Sequence, residues 1–161
     1  SKSDVSWIDR LHKIKSERII LNFPKQKKDL LTWYMSDDDM LSFSNIINGA
    51  SVVINSGSTV AIESIIHDKP TIITLFDFYP TLDFNSITRC GDYIHLKKLF
   101  SLNGCRLAKS KQELVNLVSV YLKNPKKDHE FRLQTIKEQV HKNDGKSTNR
   151  FVENIKNICN V

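Results

Sequence analysis

Ser51-Val52-Val53-Ile54-Asn55-Ser56-Gly57-Ser58-Thr59-Val60-Ala61-Ile62-Glu63 is the stretch whose reading decides the fold. Its opening apolar run has the character of a buried strand, and it breaks into a small, hydroxyl-rich turn that opens a helix. α/β proteins build anion sites in this way. Unbonded N–H groups and the positive dipole end face outward at a helix N-terminus, and small residues let a phosphate come close. Glu63 follows Thr59 by four residues, so it lies on the same helical face one turn further in, where a carboxylate could accept hydrogen bonds from ribose hydroxyls. A plainer reading stands beside this one: Ser58 as a helix cap, Gly57 as a turn residue and Glu63 as a solvated helix residue. Two sharper motifs are excluded, because the stretch lacks the Gly-Lys-Ser/Thr ending of a P-loop and has no Gly-x-Ser-x-Gly nucleophile elbow.

Upstream, Trp7, Ile8, Leu11 and Ile14 form an apolar stripe at helical spacing. Arg18-Ile19-Ile20-Leu21-Asn22-Phe23 then reads as a strand closed by Pro24, followed by a loop carrying Lys25, Lys27 and Lys28. Ser36 is predicted to cap a helix with Asp37, Asp38 and Asp39 in its first turn and with Met40, Phe43, Ile46 and Ile47 as its buried face. Downstream, the spacing predicts a helix from Thr59 to His67, a turn at Asp68-Lys69-Pro70 and a strand from Thr71 to Leu75. Asp92-Tyr93-Ile94-His95-Leu96 and Cys105-Arg106-Leu107-Ala108 read as short extended segments. Ser110 and Glu113 make a capping box for a helix carrying Leu114, Leu117, Val118 and Tyr121, which Asn124-Pro125 ends. Phe131, Ile136 and Val140 mark another helix, Asn143-Asp144-Gly145 a turn, and Phe151, Ile155 and Ile158 a last helix after Ser147.

Short apolar strands joined through helices imply an α/β fold with a parallel sheet covered by helices. Ligands of such sheets sit beyond the carboxyl ends of the strands. The turn after Asn55, the lysine loop after Phe23 and the loop after Leu75 all lie at that edge by topology alone.

A chain of 161 residues with 40% hydrophobic content suffices for one globular domain with a real core. No apolar run approaches the roughly 18 to 20 residues of a membrane span, and the polar opening is no signal peptide. Cys90, Cys105 and Cys159 fit neither a disulfide framework nor a zinc pattern, so a reducing cytoplasm is the expected home. The net charge of +6 is uneven: residues 1–96 carry 10 Lys/Arg against 12 Asp/Glu, whereas 97–161 carry 14 against 6. That skew suits a phosphorylated substrate or peripheral contact with an anionic membrane at the inner face of the plasma membrane, and equally a solvated helical face. No RNA-binding aromatic motif, zinc finger or recognition helix accompanies it, so no nucleic-acid partner is expected. The five histidines have no Ser, Cys or carboxylate partner at motif spacing.

Ala50 to Glu63, followed by Asp68-Lys69-Pro70-Thr71-Ile72-Ile73, resembles the donor-binding C-terminal half of GT-B glycosyltransferases, with bacterial surface-polysaccharide enzymes the nearest flavour. Tyr121-Leu122-Lys123-Asn124-Pro125, Arg132 and Asp144-Gly145-Lys146-Ser147-Thr148-Asn149-Arg150 are similar to the helical end of the same proteins. The likeness spans roughly residues 7 to 158. It implies a single Rossmann-like, three-layer domain over residues 1–161 that ends in a helical segment. It also implies a nucleotide-sugar ligand held by Ser56, Gly57, Ser58 and Thr59 at the diphosphate or distal ribose, and by Glu63 at ribose hydroxyls. Lys25 would reach phosphate, although by sequence alone it is a surface lysine. Asp77, Tyr79 and Asn85 would face the transferred sugar or acceptor, in a segment that departs from any tight family pattern.

GT-B enzymes have two Rossmann-like domains with the active site between them, and this length accommodates one. The chain is therefore read as the C-terminal half, with the N-terminal domain that binds a glycan or lipid-linked acceptor absent. Inverting members often take a general base from that half, so no catalytic residue is assigned here. Neither a cofactor nor an obligate metal is expected, since these donors are generally held by helix dipoles and basic side chains; Asp37-Asp38-Asp39 reads as a helix start. Two other enzyme classes share the architecture, the teichoic-acid type polyol-phosphate transferases and the sugar-nucleotide epimerases. The alternative of a different class is a non-catalytic module that docks on a membrane or a partner.

Overall fold

A computed structural model describes residues 9–14, 16–23 and 35–159, in two compact units, Ser1–Ser44 and Asn45–Val161. In the first unit residues 9–13 are helical and the His12 and Phe23 rings lie 5.8 Å apart. The expected stripe is half outside the description: Trp7 and Ile8 are not among the described residues, Leu11 is half-buried and Ile14 exposed. The strand expected over residues 18–23 is not formed. Arg18 N–H is taken by Ser16 Oγ at 3.3 Å and Ile19 N–H by the Ser16 carbonyl at 3.0 Å, a turn that uses up the first donors a ladder would need. Residues 19–23 carry no strand, and Ile20 is exposed. Hydrophobic β-type composition does not make a strand without a partner.

Helix α1 (Asp37–Gly49) starts as expected. Ser36 Oγ accepts from Asp39 N–H at 3.2 Å and donates to Asp39 Oδ2 at 2.8 Å, with three carboxylates at the positive dipole end. Its predicted buried face is narrower than the sequence implied: Ile47 is buried and Phe43 half-buried, while Met40 and Ile46 are exposed. Phe43 and Ile47 stand one turn apart on one line, and Ile46 sits about 100° round the helix from Ile47.

The sheet of the second unit is parallel, with strands β1 (Val53–Asn55), β2 (Thr71–Thr74) and β3 (Arg106–Ala108) in spatial order β1-β2-β3. Val53 pairs with Thr71, and Ile72 with Arg106. Parallel pairing requires crossovers. The first is helix α2 (Val60–Ile66). The second runs through two 3-10 turns, Asp83–Asn85 and Ile87–Asp92, and helix α3 (Ile94–Ser101). Helices α4 (Lys111–Lys123), α5 (His129–Gln139) and α6 (Ser147–Cys159) follow. The fold class is thus α/β with a small parallel open sheet, as expected.

Successive strand residues point to opposite faces, and β2 divides the core accordingly. Ile73 belongs with Ala61 and Ile65 of α2, Leu96 and Leu99 of α3, and Cys105. Ile72 belongs with Phe76, Ala108 and Tyr121, against which Leu114, Leu117 and Val118 of α4 pack. Residues 92–96, expected to be extended, are not. Asp92 closes a 3-10 turn, and Ile94 opens α3 because Leu96, Leu99 and Phe100 recur at helical spacing against the core.

Polar networks hold the edge at the strands' amino ends. Helix α2 closes with Asp68 in the left-handed region (φ 53°), its N–H bonded to the Ile65 carbonyl and Lys69 N–H to that of Ser64, each at 2.9 Å. Buried Arg132 donates to Asp68 Oδ1 at 2.7 Å, to the Lys127 carbonyl at 2.7 Å and to the Pro125 carbonyl at 3.2 Å. Arg106 grips Asp128 in bidentate fashion at 2.9 and 2.6 Å, and Tyr121 O–H adds a bond at 2.8 Å. Among the described residues no helix is long and apolar enough to cross a membrane.

Candidate functional site

The turn after β1 is built by Asn55. Its Oδ1 accepts from Gly57 N–H at 3.0 Å and Ser58 N–H at 3.3 Å, an Asx-type closure that folds the chain back at the strand's carboxyl end. Gly57 sits at φ 78°, a conformation that glycine alone adopts cheaply. Ser58 Oγ accepts from Val60 N–H at 3.3 Å, and the Ser58 and Thr59 carbonyls receive Ala61 and Ile62 N–H at 3.1 and 2.9 Å. Two backbone donors of the turn, Ser56 N–H and Thr59 N–H, take no hydrogen bond among the described residues. Of the four N–H groups from Ser56 to Thr59, the Asn55 side chain holds those of Gly57 and Ser58. Ser56, Ser58 and Thr59 are exposed and Gly57 is half-buried.

The segment after β2 folds against this turn. A Cβ placed on Gly57 would lie 2.9 Å from Cys90 Cβ and Sγ and 3.5 Å from Leu96 Cδ1, and Cys90 Sγ–H points to the Ser56 carbonyl at 3.6 Å. Two of the three loops expected to converge therefore meet, through a glycine and a cysteine. Asp77 shapes the second of them. Its carboxylate accepts Ser86 O–H at 2.6 Å and Ile87 N–H at 3.0 Å, bonds that hold its pKa below the usual carboxylate range. Tyr79 and Asn85 stand exposed beyond it. The third expected loop, with Lys25, lies outside the described residues. The first residue of α4 is a basic neighbour that sequence reading missed: Lys111 Nζ is 5.6 Å from the Phe78 ring centroid.

Glu63 occupies the first turn of α2, half-buried. Burial raises its pKa, with His67 pulling the other way. Its carboxylate accepts no hydrogen bond among the described residues. Among the same residues no group of three or more His, Cys, Asp or Glu side chains is arranged to hold a metal ion. Burial pushes the Cys105 thiol up to about 12, which leaves it an inert core residue.

Asn55 and Cys90 are the two working residues that motif reading passed over. Asn two places before a turn glycine is a turn signal that could have been used. Cys90 had none, since it meets Gly57 across 33 positions of chain. Comparison with protein-family models, curated proteins and solved structures finds no match for this chain.

Proposed function

We propose that the chain is the nucleotide-sugar-binding domain of a glycosyltransferase of the GT-B type, acting in cell-surface polysaccharide or glycolipid synthesis, with the layers of a Rossmann-like domain. One observation carries the reading. At the carboxyl edge of a parallel sheet, two unspent N–H groups and the hydroxyls of Ser56, Ser58 and Thr59 share a turn with a glutamate, one helical turn behind, whose carboxylate accepts no hydrogen bond among the described residues. Phosphate in front and ribose behind fit that order.

In this reading Ser56 and Thr59 N–H donate to the diphosphate, Gly57 keeps the backbone close to it, and Glu63 accepts from ribose hydroxyls. As the sugar departs, negative charge grows on the nucleoside diphosphate, and donors already fixed in place lower the barrier by meeting it. Tyr79 and Asn85 face the sugar or acceptor, while Asp77 holds their loop. The acceptor, and any general base, belong to a second domain.

Calorimetric titration with UDP, GDP, CDP and CMP tests this. One nucleotide binds, and Glu63→Ala weakens it by about tenfold or more, the loss of hydrogen bonds to a charged group. Silence across the panel at millimolar ligand contradicts the reading.

A further inference from the structure

We propose that the free edge of β1 is a pairing surface for a second copy of this chain, which lays its own β1 antiparallel against it about a twofold axis at Ile54. Strand β1 ends the sheet on one side. Val53 N–H is bonded to the Pro70 carbonyl at 2.9 Å and the Asn55 carbonyl accepts Thr74 O–H at 3.3 Å, so both residues turn their backbone toward β2. Backbone groups alternate sides along a strand, so the N–H and C=O of Ile54 point away from β2, and neither takes a hydrogen bond among the described residues. Ile54 is also 49% exposed, whereas its register partner on the same sheet face, Ile72, is fully buried beneath α4. Unspent ladder groups call for an extended polypeptide, and the bare isoleucine calls for an apolar residue on it.

Charge selects the second copy as the occupant. Unpaired strand edges are ordinarily guarded by charged residues, and the opposite edge of this sheet is: β3 contains Arg106, and Lys109 follows it. Around β1 there is no such guard, because residues 40–62 hold no Asp, Glu, Lys, Arg or His in a chain that is 26% charged. Two chains of net charge +6 repel through their basic helices and meet at least cost where neither carries charge. A partner of opposite charge would be drawn to the basic C-terminal helices instead.

The twofold axis makes the interface self-complementary. Ile54 N–H donates to the Ile54 carbonyl of the second copy and the reverse bond forms alongside it, with the two Cα atoms about 5.5 Å apart. Both isoleucine side chains then lie on one sheet face and cover each other, and two three-stranded sheets become one of six strands, a common size. Association closes at two chains. The ladder is short, so the dimer is weak and depends on concentration. The inference goes beyond the donor reading, since it uses groups of Ile54 that the donor reading leaves idle.

Sedimentation velocity of the full chain, from micromolar to millimolar protein, tests it, together with amide hydrogen exchange at both ends of that range. The mass rises from one chain to two and no further, and the Ile54 amide exchanges more slowly in the concentrated sample. Ile54→Lys raises the dissociation constant by about tenfold or more, with circular dichroism unchanged because the side chain is half-exposed, and Ile54→Thr, which keeps a β-branched residue in the strand, raises it less. The proposal is overturned if the chain stays a monomer throughout the range, if it grows past two chains, or if Ile54→Lys dimerises as the parent does. It is equally overturned if a dimer forms without slowing exchange at Ile54, or if the dimer is lost instead on Ile158→Ser, in the exposed apolar face of α6.

Discussion

Gly57 carries two constraints at once. Its φ of 78° is costly for any residue with a Cβ, and that Cβ would press on Cys90 at 2.9 Å. Gly57→Ala should therefore destabilise the protein by about 2–4 kcal/mol, read as a lower urea midpoint. The need for a glycine was legible from the small-residue turn; the cysteine against it was not, since no spacing rule connects positions so far apart. Asp128 makes a second residue-scale case. The Arg106 guanidinium holds its carboxyl below the usual range, against the cost of burial, and Tyr121 O–H helps. A depressed pKa means that the stabilisation is complete above the unfolded value of about 3.9 and is lost as pH falls through the folded one. Urea midpoints should therefore drop below about pH 4. Asp128→Asn, which suits the left-handed backbone at φ 63°, should cost about 1–3 kcal/mol at neutral pH and flatten that acid limb. An unchanged acid limb in the variant would contradict this account of the pair.

Among the elements, α4 shows how far local signals reach. Ser110 Oγ accepts Glu113 N–H at 3.1 Å, as the capping box predicts, and the return bond from Glu113 Oε2 goes to Lys109 N–H at 2.6 Å. Ser110→Ala should cost about 1 kcal/mol and Ser110→Gly only a few tenths, measured as urea midpoints at constant slope. Equal losses in the two variants would argue against the cap. Caps, turns and apolar runs made β1, α2, β2, α4 and the last two helices legible, because each is specified within a dozen residues. Residues 92–96 were misread since the helical recurrence at Leu96, Leu99 and Phe100 lies mostly beyond that window. Residues 18–23 were misread for the opposite reason: the run has strand composition, but its outcome depends on a neighbour that local sequence does not specify.

At the scale of the second unit, the two edges of the sheet have different chemistry. Around the amino ends, Asp68, Asp128, Arg106 and Arg132 spend their charges on one another and on loop carbonyls, across separations of up to 64 positions. None of that was legible beforehand, as long-range ion pairs leave no periodic trace. At the carboxyl ends, Ser56 N–H, Thr59 N–H and the Glu63 carboxylate make no hydrogen bond among the described residues, and this contrast supports placing a ligand there. Amide nitrogen–proton correlation spectra, titrated with UDP, GDP and CDP in turn, read that contrast residue by residue. The account predicts saturable shifts for one nucleotide, largest at Ser56, Thr59 and Glu63 and absent at Asp68 and Arg132. No saturable shift with any nucleotide, or shifts centred on Asp68 and Arg132, would contradict it.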